Sequence, residues 1–240
     1  PQRLLAYAHF TKSTRTPVPR TDGPALVFVH GGWTGRVAMR LAGHGMRLDS
    51  LETALRQNPT CELQALADAL AANDDDGAAR IRARLDLDPR PTRFPPSVEL
   101  SPGNYARVLP GRALPPACMR QVWADRLGIV DVAPLLWQGD LPGLPGRGAM
   151  FVRDLGPELN AELLAAYPDR RPFMLFTPAP DEPPALLPYE EGVRRIWGAA
   201  DTAPENDRNS IRGAGTRRAL ANSATRPFFE QPRSSAPQVP

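Results

Sequence analysis

The sequence predicts an α/β fold: a small, mostly parallel sheet covered by helices, with a hairpin in the middle of the chain. Two stretches carry that prediction. Ala149–Thr177, AMFVRDLGPELNAELLAAYPDRRPFMLFT, reads as strand, turn, helix, loop and strand. Ala25–Trp33, ALVFVHGGW, repeats its first half as an apolar run that ends in a glycine turn. Neither run alternates apolar with polar, which is the pattern of strands covered on both faces. A unit of about 30 residues is the usual length for a right-handed parallel crossover.

Within the later unit, Ala149, Met150, Phe151 and Val152 form the strand, and Arg153 and Asp154 end it. Gly156 permits a tight turn, and Pro157 suits a first helical position, where no N–H is needed. The helix places Leu159, Leu163 and Ala166 on one stripe, with Asn160, Leu164 and Tyr167 beside it. Pro168 stops it, and Phe173, Met174, Leu175 and Phe176 form the next buried strand.

Taken in order, residues 1–24 read as a lead-in and linker, with Pro17 and Pro19 in a polar run. Ala25–His30 is the first strong strand, and Gly31 and Gly32 make its turn. Thr34 is the expected N-cap of a helix carrying Val37, Met39 and Leu41, closed by Gly43 and Gly45. Asp49 with Glu52 resembles a capping box. Thr60 opens a further helix with Leu63, Leu66, Ala67 and Leu70 on one stripe. Asp74, Asp75 and Asp76 favour the start of another, in which Ala78, Ile81 and Leu85 face inward and Arg80, Arg82 and Arg84 face solvent. Val98–Leu109 reads as the hairpin, turning at Ser101–Asn104. Pro116 opens a helix with Met119, Val122, Trp123 and Leu127 at helical spacing, ended by Gly128; Ile129–Trp137 reads as a strand and a buried corner. A Gly/Pro loop runs from Gln138 to Gly148, and loops of that length are often functional. Ala185–Leu187 is a last short strand, and Tyr189–Trp197 a closing helix. The domain spans residues 25–200, and residues 201–240 read as a disordered tail poor in apolar residues.

The composition excludes several classes. The chain has 240 residues, enough for one good core, and 23% charged residues, the ordinary share for a globular protein. Its net charge of +3 is small and its arginines are scattered, so no nucleic-acid footprint is visible. No apolar run approaches the roughly 20 residues that span a bilayer, and no signal peptide is visible. The chain begins at Pro1 rather than Met, which marks it as a candidate fragment.

Candidate chemistry gathers at the two strand ends. His30-Gly31-Gly32-Trp33 invites comparison with the glycine turn that helps build the oxyanion hole of α/β-hydrolases. That chemistry also needs a serine on a strained G-x-S-x-G turn and a late histidine. No serine has that spacing, and the last histidine is His44. His30, His44 and Asp49 have no metal-ligand spacing, so no metal or cofactor is expected. Arg153 and Asp154 stand at the carboxyl end of a strand, where open α/β sheets place ligands, and the next helix N-terminus suits an anion. The plainer reading is a structural Arg–Asp pair, with Asp154 supporting the turn. The sequence assigns no catalytic residue; His30, Trp33, Arg153 and Asp154 are the candidate ligand-binding residues, provided the two strands are neighbours. Asp169, Arg170 and Arg171 read as a solvated loop, and the loop glycines Gly143, Gly146 and Gly148 as chance spacing. Cys61 and Cys118 either pair, closing a loop of about 57 residues worth about 4 kcal/mol, or stay as buried free thiols.

The ALVFV strand with its turn and Trp33, the two cysteines, and the late segment from Arg153 through Asn160, Leu163 and Leu164 to Tyr167, Pro168, Asp169 and Arg170 together resemble one family. It is the C-terminal soluble region of bacterial membrane glycosyltransferases similar to dolichyl-phosphate-mannose–protein mannosyltransferases, of the GT-C type. The match is good over residues 25–35 and 149–177. The resemblance implies a non-catalytic extracytoplasmic accessory domain, a structural cap or a substrate-positioning module. Its partners would be the transmembrane part of the same polypeptide and a polyprenyl-phosphate sugar or glycan. Catalysis would lie in the membrane region, so no catalytic residue is carried over. Export would favour the Cys61–Cys118 disulfide. The absence of a membrane-spanning run departs from the family pattern. The runner-up is a stand-alone α/β-hydrolase-like enzyme with an unrecognised nucleophile; the third reading is a cytosolic binding module.

Overall fold

The structure, a computed structural model, describes residues 21–87, 94–101, 104–109, 111–126, 129–130, 139–141, 146, 148–178 and 182–198. A four-stranded sheet is built from β1 (Ala25–Val29), β4 (Ala149–Arg153), β5 (Arg171–Phe176) and β6 (Ala185–Pro188), in the order β4-β1-β5-β6. β1 runs parallel to both neighbours, with Val29 opposite Arg153 on one side and Leu175 on the other. β6 is antiparallel to β5. The predicted mostly parallel sheet is therefore present, and the β4–β5 crossover carries the chain over β1. All five residues of β1 are buried, as its unbroken apolar run requires. The predicted hairpin is the antiparallel pair β2 (Ser97–Ser101) and β3 (Asn104–Arg107).

One face of the sheet presents Leu26, Phe28, Met150, Met174 and Phe176. It is covered by α6 (Pro157–Ala166) and by α7 (Tyr189–Val193), which continues as a π-helical turn over Arg194–Gly198. The other face presents Ala25, Val27, Val29 and Leu175, with Val130 against them. A separate helical core gathers α1 (Trp33–Gly43), α2 (Leu48–Gln57), α3 (Thr60–Ala71), α4 (Asp75–Arg82) and α5 (Pro116–Ala124) around Trp33, Leu41, Leu63 and Leu66. The molecule thus has two packed bodies joined at the carboxyl end of β1.

Several local expectations change. Gly32, not Thr34, is the N-cap of α1, and the Thr34 hydroxyl instead donates to the Tyr105 carbonyl at 2.8 Å. α2 begins at Leu48, so Asp49 lies inside its first turn, paired with Arg47, and forms no capping box with Glu52. Asp74 does cap α4, accepting from the Gly77 N–H. Arg80, Arg82 and Arg84 are exposed as expected, although Arg84 lies beyond the end of α4. On α6 the packed stripe includes Leu163, Leu164 and Tyr167, while Ala166 is exposed. The α5 helix ends at Ala124, and Leu127 and Gly128 lie outside the described residues. So do the lead-in over 1–20, most of the expected strand over 129–137, and the tail over 201–240.

Arg170 corrects the expectation of a solvated loop. Its side chain is 9% exposed and pairs with Asp140 at 2.9 Å. It also donates to the carbonyls of Gly148 at 2.9 Å and Ala25 at 3.3 Å, binding together the amino ends of β1, β4 and β5. Gly146 is not idle spacing either, since a Cβ there would fall 2.2 Å from the Asp140 carboxylate carbon.

Cys61 on α3 and Cys118 on α5 form a disulfide with a Cα–Cα distance of 5.7 Å.

Candidate functional site

The strand pairing decides what the two terminal motifs can do. Because β1 and β4 are adjacent and in register to Val29 and Arg153, the next residues, His30 and Asp154, meet just past the carboxyl edge. His30 Nδ1 lies 2.8 Å from Asp154 Oδ2, and both side chains are wholly buried. The other ring nitrogen faces the Ala124 carbonyl at 3.2 Å and Asp125 Oδ1 at 3.7 Å. Both nitrogens therefore face oxygen atoms.

Asp154 gathers further donors: the Gly156 N–H at 3.0 Å, Asn160 Nδ2 at 2.7 Å and Trp197 Nε1 at 3.2 Å. Burial pushes its carboxyl pKa up, but hydrogen bonding and charge from His30, the Arg36 charge and the Asn160 bond outweigh this. The group is held below the ordinary carboxylate value. Asp154 supports its turn as expected, but its carboxylate is bound by His30 and not by Arg153.

A second buried carboxylate, Asp125, completes the cluster. It accepts from the Trp33 N–H, Arg36 Nη2 and Asn104 Nδ2, each at 2.6 Å. Arg36 also donates to the Gly31 carbonyl and to Gln121 Oε1, and its guanidinium lies 5.2 Å from the Trp197 ring centroid. Two basic and two acidic groups thus share one interior site where the sheet meets the helical core. Paired and hydrogen-bonded charges are the arrangement in which such burial is tolerated. Gly32 is required here for space: a Cβ would sit 2.5 Å from Asn104 Oδ1.

Of the four candidate residues, His30 and Asp154 touch each other, and Trp33 meets the cluster through its backbone N–H. The Trp33 indole points into the helical core, where it donates to Gln64 Oε1 at 2.6 Å. Arg153, half-buried, has Nη1 close to Gly35, 3.0 Å from where a Cβ would stand. His44 and Asp49 are exposed, and no group of three metal-ligating side chains converges among the described residues. Sequence reasoning missed Arg36, Asp125 and Asn160. Arg36 and Asn160 lie at positions that helical periodicity turns inward beside Trp33 and Leu164, and that polar-on-the-inside placement was the available signal. Asp125, just past the end of α5, gave none.

Next to this closed cluster the surface is open. A cleft of about 250 Å³ opens between α1, α3, α5 and the first turn of α6, with Trp197 at its edge. Comparison with protein-family models, curated proteins and solved structures finds no match to this chain.

Proposed function

We propose that this chain is a non-catalytic, extracytoplasmic accessory domain of a membrane glycosyltransferase-like protein, acting as a structural cap or positioning a lipid-linked sugar or glycan. The observation that carries the reading is the Cys61–Cys118 disulfide, because such bridges persist in oxidising compartments and are rare in the cytosol. The closed cluster supports the non-catalytic half. A histidine that acts as a general base needs a nucleophile within hydrogen-bond reach. Among the described residues, the His30 ring nitrogens face Asp154, the Ala124 carbonyl and Asp125, and the ring meets Trp197 edge-on. No described helix is long and apolar enough to cross a membrane, so attachment would come through a further part of the parent protein.

The test is fractionation of the native protein with an antibody to this domain, followed by protease treatment of intact spheroplasts. Recovery in the membrane fraction with digestion from outside is the expected result. Recovery of the native protein in the cytosol, protected from protease, overturns the reading. Turnover of an ester substrate by the purified chain, abolished by His30→Ala in a folded variant, overturns the non-catalytic half.

A further inference from the structure

The open cleft has walls of fork-shaped polar side chains. Arg40 and Asp68 pair at 2.7 Å, Arg120 and Glu158 pair at 2.8 Å, Gln64 and Gln121 stand between them, and Leu155, Leu159 and Trp197 add an apolar side. Two cations and two anions leave these walls without net charge. An anionic ligand would have to face Asp68 and Glu158, and a cationic one Arg40 and Arg120. A neutral molecule with several hydroxyls meets donors and acceptors alike, and planar forks make paired hydrogen bonds that match neighbouring hydroxyls. Gln121 Oε1 is occupied by Arg36 Nε and Nη2 at 3.0 and 2.8 Å, which leaves its NH2 as the group it can offer, whereas buried Gln64 already accepts from Trp33 Nε1 and donates to the Ala117 carbonyl and so shapes the wall rather than offering a free group. The volume lies just below the range that holds drug-sized ligands, which suits a single small ring.

We propose that this cleft binds a neutral polyhydroxylated molecule of monosaccharide size. The disulfide supports it mechanically. Cys61 precedes Gln64 by one helical turn and Asp68 by two on α3, and Cys118 precedes Gln121 by one turn on α5. The bridge therefore fixes the spacing of two of the walls. This inference deepens the accessory-domain reading and rests on it for the ligand's setting, because free sugar and the sugar head of a lipid share the same hydroxyl chemistry.

The experiment is NMR titration of the oxidised full chain with methyl glycosides of glucose, mannose and galactose, with inorganic phosphate and glycerol as controls. At least one glycoside is expected to bind with a dissociation constant on the order of 1–10 mM, shifting the Trp197 indole and Gln64 carboxamide signals. Arg120→Met and Asp68→Asn are each expected to weaken binding about tenfold. Vesicles displaying the same sugars on a neutral lipid form a second arm; their capture by wild type and not by the variants also supports the site and assigns it to a lipid-linked source. Three results overturn the proposal: no saturable shift up to about 100 mM glycoside together with no vesicle capture, tighter binding of phosphate than of any glycoside, or unchanged binding in both variants while the melting temperature is kept. Failure here leaves the localisation result untouched, since an exported domain need not bind sugar in this cleft.

Discussion

Among the described residues, the Asp154 carboxylate receives hydrogen bonds from His30, Gly156, Asn160 and Trp197. With its pKa held below the ordinary carboxylate value, the unfolded chain binds this proton more readily than the folded one. The stability this group contributes is fully present above about pH 4 and is lost as pH falls through the folded value. Thermal unfolding followed between pH 7 and pH 2 should show the melting temperature dropping below about pH 4. Asp154→Asn should lower stability at pH 7 by about 3–5 kcal/mol and make that acid fall shallower, because it removes a buried carboxylate on which four donors converge. A variant as stable as wild type at pH 7 contradicts this account. Gly32→Ala tests the same site through space alone: its Cβ would press on Asn104, which is held by Asp125, and should cost about 1–3 kcal/mol in denaturant unfolding.

At the scale of elements, Arg170 ties three strand ends, so Arg170→Ala should cost about 2–3 kcal/mol and raise hydrogen exchange in β1 and β4 before it affects α3. Uniform exchange across both bodies would show that the clamp is not local. The strands were legible because β1, most of β4 and the Phe173–Phe176 part of β5 are unbroken apolar runs, although β5 starts two residues earlier at Arg171, and α6 because Gly156 and Pro157 mark its start. The Asp74 cap of α4 was legible because it is local, whereas the cap of α1 was not, because it is supplied from a distance. The first N–H of α1 is met by Asp125, which stands 92 residues away in the chain and which no local motif singles out. The meeting of His30 and Asp154 depended on β1 and β4 being neighbours, which each strand's own sequence leaves open. Arg36 escaped notice because an arginine on a helix is ordinarily a solvated residue, and only the completed cluster of Asp125, Gln121 and the Gly31 carbonyl accounts for its burial.

At the scale of the molecule, a sheet body and a helical body are joined through a polar seam, and a disulfide spans the helical body. The bridge closes a loop of 57 residues. Its reduction should lower stability by about 4 kcal/mol on the chain-entropy account, measurable as a drop in the urea midpoint of the reduced protein or of a Cys61→Ser, Cys118→Ser double variant. An unchanged midpoint would mean that packing alone holds α3 against α5. The most direct test of the account as a whole is the thiol state of the native protein. The domain would be taken from its host without reductant, alkylated with a maleimide under denaturing conditions, and its intact mass recorded. The account of an exported, disulfide-stapled domain predicts no adduct. Two adducts on freshly isolated protein, one each at Cys61 and Cys118, would contradict it.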